Sequence, residues 1–180
     1  MIEITYFVHG TTLDNLEKKA TGWLPGELSE KGIQQAINLS KVIKDKYFDV
    51  VICSDLKRAV ESAKLDFYNR DIEIIRDMRL RECNYGELDG KDSSLVVYAD
   101  HIEKPFKKGE SMLDVEERIK SFIEYLKQNH NNKKVAIVAH KAPQLAFEVL
   151  TKNKTWQEAI STDWRLTGDW QPGWIYIIED

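Results

Sequence analysis

The chain has 180 residues, of which 42% are hydrophobic and 31% charged, with a formal net charge of -4. This is the composition of one ordinary soluble globular domain spanning 1–180, with enough length to bury a core without disulfides or a structural metal. A weakly acidic chain has no global basic field to hold nucleic acid or a membrane surface, so any phosphate must be met by a local cluster of cations.

Met1-Ile2-Glu3-Ile4 lacks the basic region and apolar run of a signal peptide, and no stretch approaches the ~20 apolar residues of a membrane span. Cys53 and Cys83 lie in or beside apolar runs without a CxxC partner, and are expected to be reduced, partly buried thiols in a cytoplasmic protein.

Residues Ile2 to Val8 alternate and are β-rich, predicting a strand that runs into a turn at His9-Gly10-Thr11-Thr12. Leu28 to Lys44 predicts a helix, with Ser29 and Glu30 at its start. Asp49 to Cys53 is a short apolar run, the mark of a strand buried on both faces. A second helix is expected over Asp55 to Phe67 and a short strand over Ile72 to Ile75. Arg79 to Gly90 is a loop rich in turn formers, and Asp114 to Gln128 a third helix. Lys134 to Ala139 is another buried strand, ending at His140. A fourth helix starts at Pro143, and Trp174 to Ile178 is a final strand. Strands alternating with helices predict an α/β layered fold with a mostly parallel sheet. Ligands in such folds sit beyond the C-terminal strand ends, where His9, Ser54-Asp55 and His140 are all expected.

A neutral imidazole is a good nucleophile near neutral pH, which makes His9 a candidate. Gly10 would let a substrate group approach the backbone. Arg58, one helical turn after Ser54-Asp55, can bind phosphate oxygens bidentately. Glu82, flanked by Leu80 and Cys83, suits a partly desolvated general acid. His140, at a strand end, suits a phosphate ligand. His130 sits in an Asn-rich segment expected to be an exposed turn, and His101 is expected at the surface. Trp156, Trp164, Trp170 and Trp174 crowd the tail, where they either seal the sheet edge and core or form a pocket wall.

Six segments, in order, resemble the histidine phosphatase superfamily. Val8-His9-Gly10-Thr11-Thr12-Leu13-Asp14-Asn15 resembles its Arg-His-Gly-(Glu/Gln)-Thr-x-x-Asn opening. Gly22 to Gly32 is similar to the lead into its first helix, and Ser54 to Ala59 matches its Ser-Asp-Leu-x-Arg-Ala signature. Leu80 to Gly86 resembles its acid loop, Gly109-Glu110-Ser111 its Gly-Glu-Ser, and Val138-Ala139-His140 the strand delivering its second histidine. The resemblance implies a three-layer α/β/α fold with a mostly parallel central sheet, phosphoglycerate mutase-like.

By that resemblance His9 would form a phosphohistidine, Arg58 and His140 would hold the phosphoryl oxygens, and Glu82 would protonate the leaving oxygen and then activate water. Gly10, Thr11, Thr12, Asn15, Thr21, Gly22 and Lys141 are the implied phosphate- and substrate-binding positions. No metal or other cofactor is implied, and the implied partner is a small phosphorylated metabolite. Val8 stands where the family has arginine, and Ala139 and Lys141 where it usually has serine and glycine around the second histidine. Lys141 offers a positive charge from a different position. The expected function is phosphomonoester hydrolysis. The alternatives are a mutase, a phospho-ligand binding protein without turnover, and, more remotely, a metal hydrolase using His9, His140, Glu82 and Asp55.

Overall fold

The computed structural model describes residues 1–179. Its sheet has five strands: β1 (Ile2–Val8), β2 (Val50–Cys53), β3 (Ile74–Arg76), β4 (Lys134–Ala139) and β5 (Trp174–Ile178), in the order β3-β2-β4-β1-β5. The first four in that order pair parallel, and β5 runs antiparallel along β1. The helices are α1 (Leu13–Leu16), α2 (Glu30–Val42), α3 (Lys57–Asp66), α4 (Met112–Asn129), α5 (Lys141–Lys152), α6 (Trp156–Ser161) and α7 (Trp164–Thr167).

Period-two alternation makes each strand feed two cores. Ile4 and Tyr6 of β1, Ile52 of β2 and Ile137 of β4 join Ile119 and Phe122 of α4 and Phe147 of α5 on one face. Phe7, Val51, Cys53 and Val138 join Leu39 of α2 and Val60 and Ala63 of α3 on the other. The result is the three-layer arrangement expected from the sequence. β4 has both faces covered, and its residues Val135 to Ala139 are fully buried.

The helix boundaries follow local chemistry. The Ser29 hydroxyl accepts from the Gly32 amide at 3.1 Å, so α2 begins at Glu30. A capping box of Ser111 and Asp114 starts α4 at Met112, two residues before the apolar pattern suggests. Pro143 lies in the first turn of α5, but the helix begins at Lys141, directly after His140.

His130 departs from its expected exposure. It ends α4 as a buried residue, with Nε2 3.3 Å from the Tyr125 hydroxyl. The polar neighbours that suggest an exposed turn are themselves outside, and the ring folds back on the last helical turn. His101 stacks on Phe106 at 3.7 Å between centroids and is half-buried. Both cysteines are free and fully buried. Among the described residues, no helix is long and apolar enough to cross a membrane.

Candidate active site

A cavity of about 370 Å³ opens at the C-terminal ends of β1, β2 and β4, and is lined by His9, Arg58, Glu82 and His140 together. Four chain segments thus deliver the four residues singled out for chemistry to one place.

His9 follows β1 directly. Its Nδ1 lies 2.7 Å from the Gly10 carbonyl oxygen. A carbonyl only accepts, so Nδ1 carries the hydrogen and Nε2 keeps its lone pair. Burial, and after it the Arg58 charge, lowers the imidazole pKa to about 3. The ring is therefore neutral near pH 7, as a nitrogen nucleophile must be.

The loop that carries His9 is clamped to α2 by two glycines. A Cβ on Gly10 would lie 2.5 Å from the Gly32 carbonyl oxygen, and one on Gly32 would lie 2.1 Å from the Thr11 carbonyl oxygen. Gly10 therefore serves backbone packing. Its amide donates to the Ser62 hydroxyl at 3.0 Å, and it does not line the cavity holding Arg58 and Glu82. Thr12 is also placed elsewhere: it is fully buried and caps α1 through the Asn15 amide. The open-looking loop sequence conceals these tertiary demands. Thr11, Asn15, Thr21, Gly22 and Lys141 do line the cavity.

Arg58 is 2% exposed although charged. It donates to the carbonyl oxygens of Leu24 (3.0 Å) and Gly22 (2.8 Å), which fix its guanidinium at the cavity wall. His140 ends β4 and precedes α5. Its amide and carbonyl both bond the Tyr6 hydroxyl, at 3.1 and 2.7 Å. Its ring is buried with neither nitrogen hydrogen-bonded among the described residues, and burial, followed by the Arg58 charge, holds its pKa well below the usual histidine value. The His9 and His140 rings are neighbours, with centroids 5.0 Å apart and planes tilted by 60°. Two neutral imidazoles and a fixed guanidinium thus share one cavity.

Glu82 is held by contacts that its sequence surroundings do not announce. Oε1 accepts from the amides of Cys83 and Ala142, both at 2.9 Å, and lies 3.3 Å from the Tyr98 hydroxyl. Among the described residues, Oε2 accepts from the Lys141 amide alone, at 3.2 Å. His140 gives α5 no side-chain cap, and the Glu82 carboxylate takes two of the free amides of its first turn instead. Oε2 is thus the more lightly bonded of the two oxygens.

The Lys141 ammonium lies 3.3 Å from Asp163 and 4.7 Å from the centre of the Tyr98 ring. The tail tryptophans divide between the two roles expected of them. Trp156 and Trp174 are buried, while Trp164 lines the cavity and stacks on Trp174 at 4.9 Å. Trp170 is exposed and borders an adjoining, more apolar cavity. Both Asp55 oxygens accept from Arg81 at 2.7 Å, and Asp55 is not part of the cavity lining. Tyr98, Lys19 and Arg165 also line the cavity, and no sequence motif singles them out.

The sequence pattern of the histidine phosphatase superfamily (branch 1) matches residues 6–158, and the chain belongs to that family. It is 28% identical over 157 residues to phosphoserine phosphatase 1 of Hydrogenobacter thermophilus, covering 82% of this chain and 74% of that one. It is 36% identical over 99 residues to the 2,3-bisphosphoglycerate-dependent phosphoglycerate mutase of Streptococcus uberis, covering 52% of this chain but only 43% of the mutase. Among solved structures it superposes on Bacillus stearothermophilus YhfR with a TM-score of 0.80 and 26% identity, over 89% of this chain and 85% of that one. The alpha-ribazole phosphatase of Shigella flexneri shares the fold, with a TM-score of 0.80 at 22% identity over 88% of this chain and 84% of that one.

Proposed function

We propose that this protein hydrolyses phosphomonoesters of small metabolites through a phosphohistidine on His9. The observation that carries the reading is the His9 ring itself. It is held neutral, with Nε2 free, in a cavity shared with Arg58, His140 and Glu82.

In the first displacement Nε2 attacks phosphorus and the ester P–O bond breaks. The leaving oxygen takes a proton from Glu82 Oε2 and departs as an alcohol. In the second, Glu82 takes a proton from water, the water oxygen attacks phosphorus, the P–N bond breaks, and phosphate leaves. Arg58 and His140 hold the non-bridging oxygens in both steps. Positioning and fixed positive charge supply the catalysis, and no step draws on a metal. The free, buried thiols fit the reducing cytoplasmic setting we assign to it.

A phosphatase is preferred to a mutase because the stretch between the acid loop and Gly109-Glu110-Ser111 is short, with single-turn helices at Ser93–Leu95 and Tyr98–His101. The family's mutases generally carry a longer insertion there. The test is turnover of a phosphomonoester panel including p-nitrophenyl phosphate, by wild type and His9→Ala. Hydrolysis lost in His9→Ala supports the reading. No turnover by wild type, or turnover kept by His9→Ala, sinks it.

A further inference from the structure

The phosphate pocket has Val8 where the family places an arginine, yet a second guanidinium enters it from the tail. Arg165, on α7, lines the cavity with Val8, His9, Arg58 and His140. Its charge, among other causes, disfavours protonation of both histidines.

The head group of Arg165 is built in. Nη1 donates to Asp163 Oδ1 and Nη2 to Gln144 Oε1, both at 2.9 Å, and Cζ stands 4.5 Å from the centre of the Trp164 ring. The Asp163 side chain is 1% exposed, and Gln144 is buried on α5, the helix that His140 precedes. The guanidinium is thereby tied to the scaffold that presents the second histidine. Each terminal nitrogen spends one hydrogen on these partners and has another for a ligand.

Charge points the same way. Both imidazoles are neutral, so Arg58 is one permanent cation facing a dianionic phosphoryl group. Asp163 is shared between Lys141 and Arg165, so this trio keeps a net positive charge. The Lys19 ammonium is paired with Glu17 at 2.5 Å.

We propose that Arg165 takes the place of the arginine that the family puts before its nucleophile, binding the transferring phosphoryl oxygens beside Arg58 and His140, with Asp163 as its positioning residue. This rests on the hydrolase reading. It commits Arg165 to the reacting phosphate, and not to a second anionic group elsewhere on the substrate.

The test compares wild type, Arg165→Ala, Arg165→Lys and Asp163→Asn by calorimetric titration with orthovanadate and by p-nitrophenyl phosphate kinetics, a substrate with no second anion. Arg165→Ala is expected to weaken vanadate binding and to lower kcat/KM about a hundredfold. Arg165→Lys should recover little of either, because the planar fork is lost. Asp163→Asn should give a smaller loss with a retained thermal transition, and Val8→Arg combined with Arg165→Ala should restore part of both readouts. Vanadate binding and p-nitrophenyl phosphate kinetics unchanged in Arg165→Ala would overturn the proposal, as would a KM rise confined to substrates with a second anion. So would wild type that does not bind vanadate. If Arg165→Ala fails to fold, Arg165→Lys and Asp163→Asn decide on the same criteria. If wild type binds vanadate but turns nothing over, the hydrolase reading fails, and the calorimetry still decides whether Arg165 holds the oxyanion.

Discussion

The Nδ1 of His9 points at the carbonyl oxygen of Gly10, 2.7 Å away, so the loop that presents the nucleophile also sets its tautomer. With its pKa lowered to about 3, chiefly by burial, His9 is expected to stay neutral through the acid range. His140 is held low in the same way. Both become ordinary histidines of about 6.5 on unfolding. The unfolded state therefore binds more protons, and stability, complete above about pH 6.5, falls as pH drops, with the His9 share lost toward about pH 3. Thermal melts should show this decline, with part of it removed in His9→Ala. NMR should find neither ring titrating between about pH 5 and 8. A histidine at either position titrating near 6.5 would contradict the burial argument.

Glu82 lines the cavity and has one lightly bonded oxygen, Oε2, on a carboxylate otherwise tied to the amides of Cys83 and Ala142. Glu82→Gln keeps the shape and loses the proton. Its kcat/KM, which reports phosphoryl transfer to His9, is expected to fall by about a hundredfold to ten-thousandfold on alkyl phosphates, and less on p-nitrophenyl phosphate, whose leaving group needs little protonation. Equal losses in kcat/KM on both substrates would contradict proton donation by Glu82 to the leaving oxygen.

The contact between Gly32 and Thr11 leaves no room for a side chain, since a Cβ would stand 2.1 Å from the Thr11 carbonyl oxygen. Gly32→Ala must push the His9 loop away from α2. We expect a stability loss of about 1–3 kcal/mol by denaturant titration. Displacement of the nucleophile should also cost up to about a hundredfold in kcat. Unaltered activity would mean that the loop is not set by this packing.

Asp66 lies in α3 with Oδ2 buried and without a hydrogen-bond partner among the described residues, and burial pushes its carboxyl well above the usual range. A raised carboxyl pKa contributes stability below the unfolded value near 3.9 and loses it as pH rises. Asp66→Asn removes that loss, so it should raise Tm at neutral pH by about 2–4 °C for each kcal/mol recovered. A lower Tm would show that the carboxylate has a partner role.

These sites differ in how far a sequence can reveal them. The strand ends at Val8, Cys53 and Ala139 are legible because apolar period and length are local properties, and those properties alone place His9, Arg58 and His140 at one edge of the sheet. Gly10 and Thr12 are open to misassignment because their constraints come from Gly32 and from the α1 cap. Glu82 is recognisable as a residue, but its capping of α5 joins positions that only the fold brings together. Arg165 carries no local signal: it lies more than a hundred and fifty residues beyond Val8 and meets the cavity through α7.

The central claim is that His9 carries the phosphoryl group. Rapid quench of the enzyme with a 32P-labelled phosphomonoester, under neutral or alkaline conditions that preserve phosphoramidates, followed by peptide mapping, tests it most directly. The expected result is one acid-labile, alkali-stable label on the His9 peptide, absent from His9→Ala and accumulating in Glu82→Gln where water attack is slowed. Turnover by wild type with no label at His9, or with label on another residue, would contradict it.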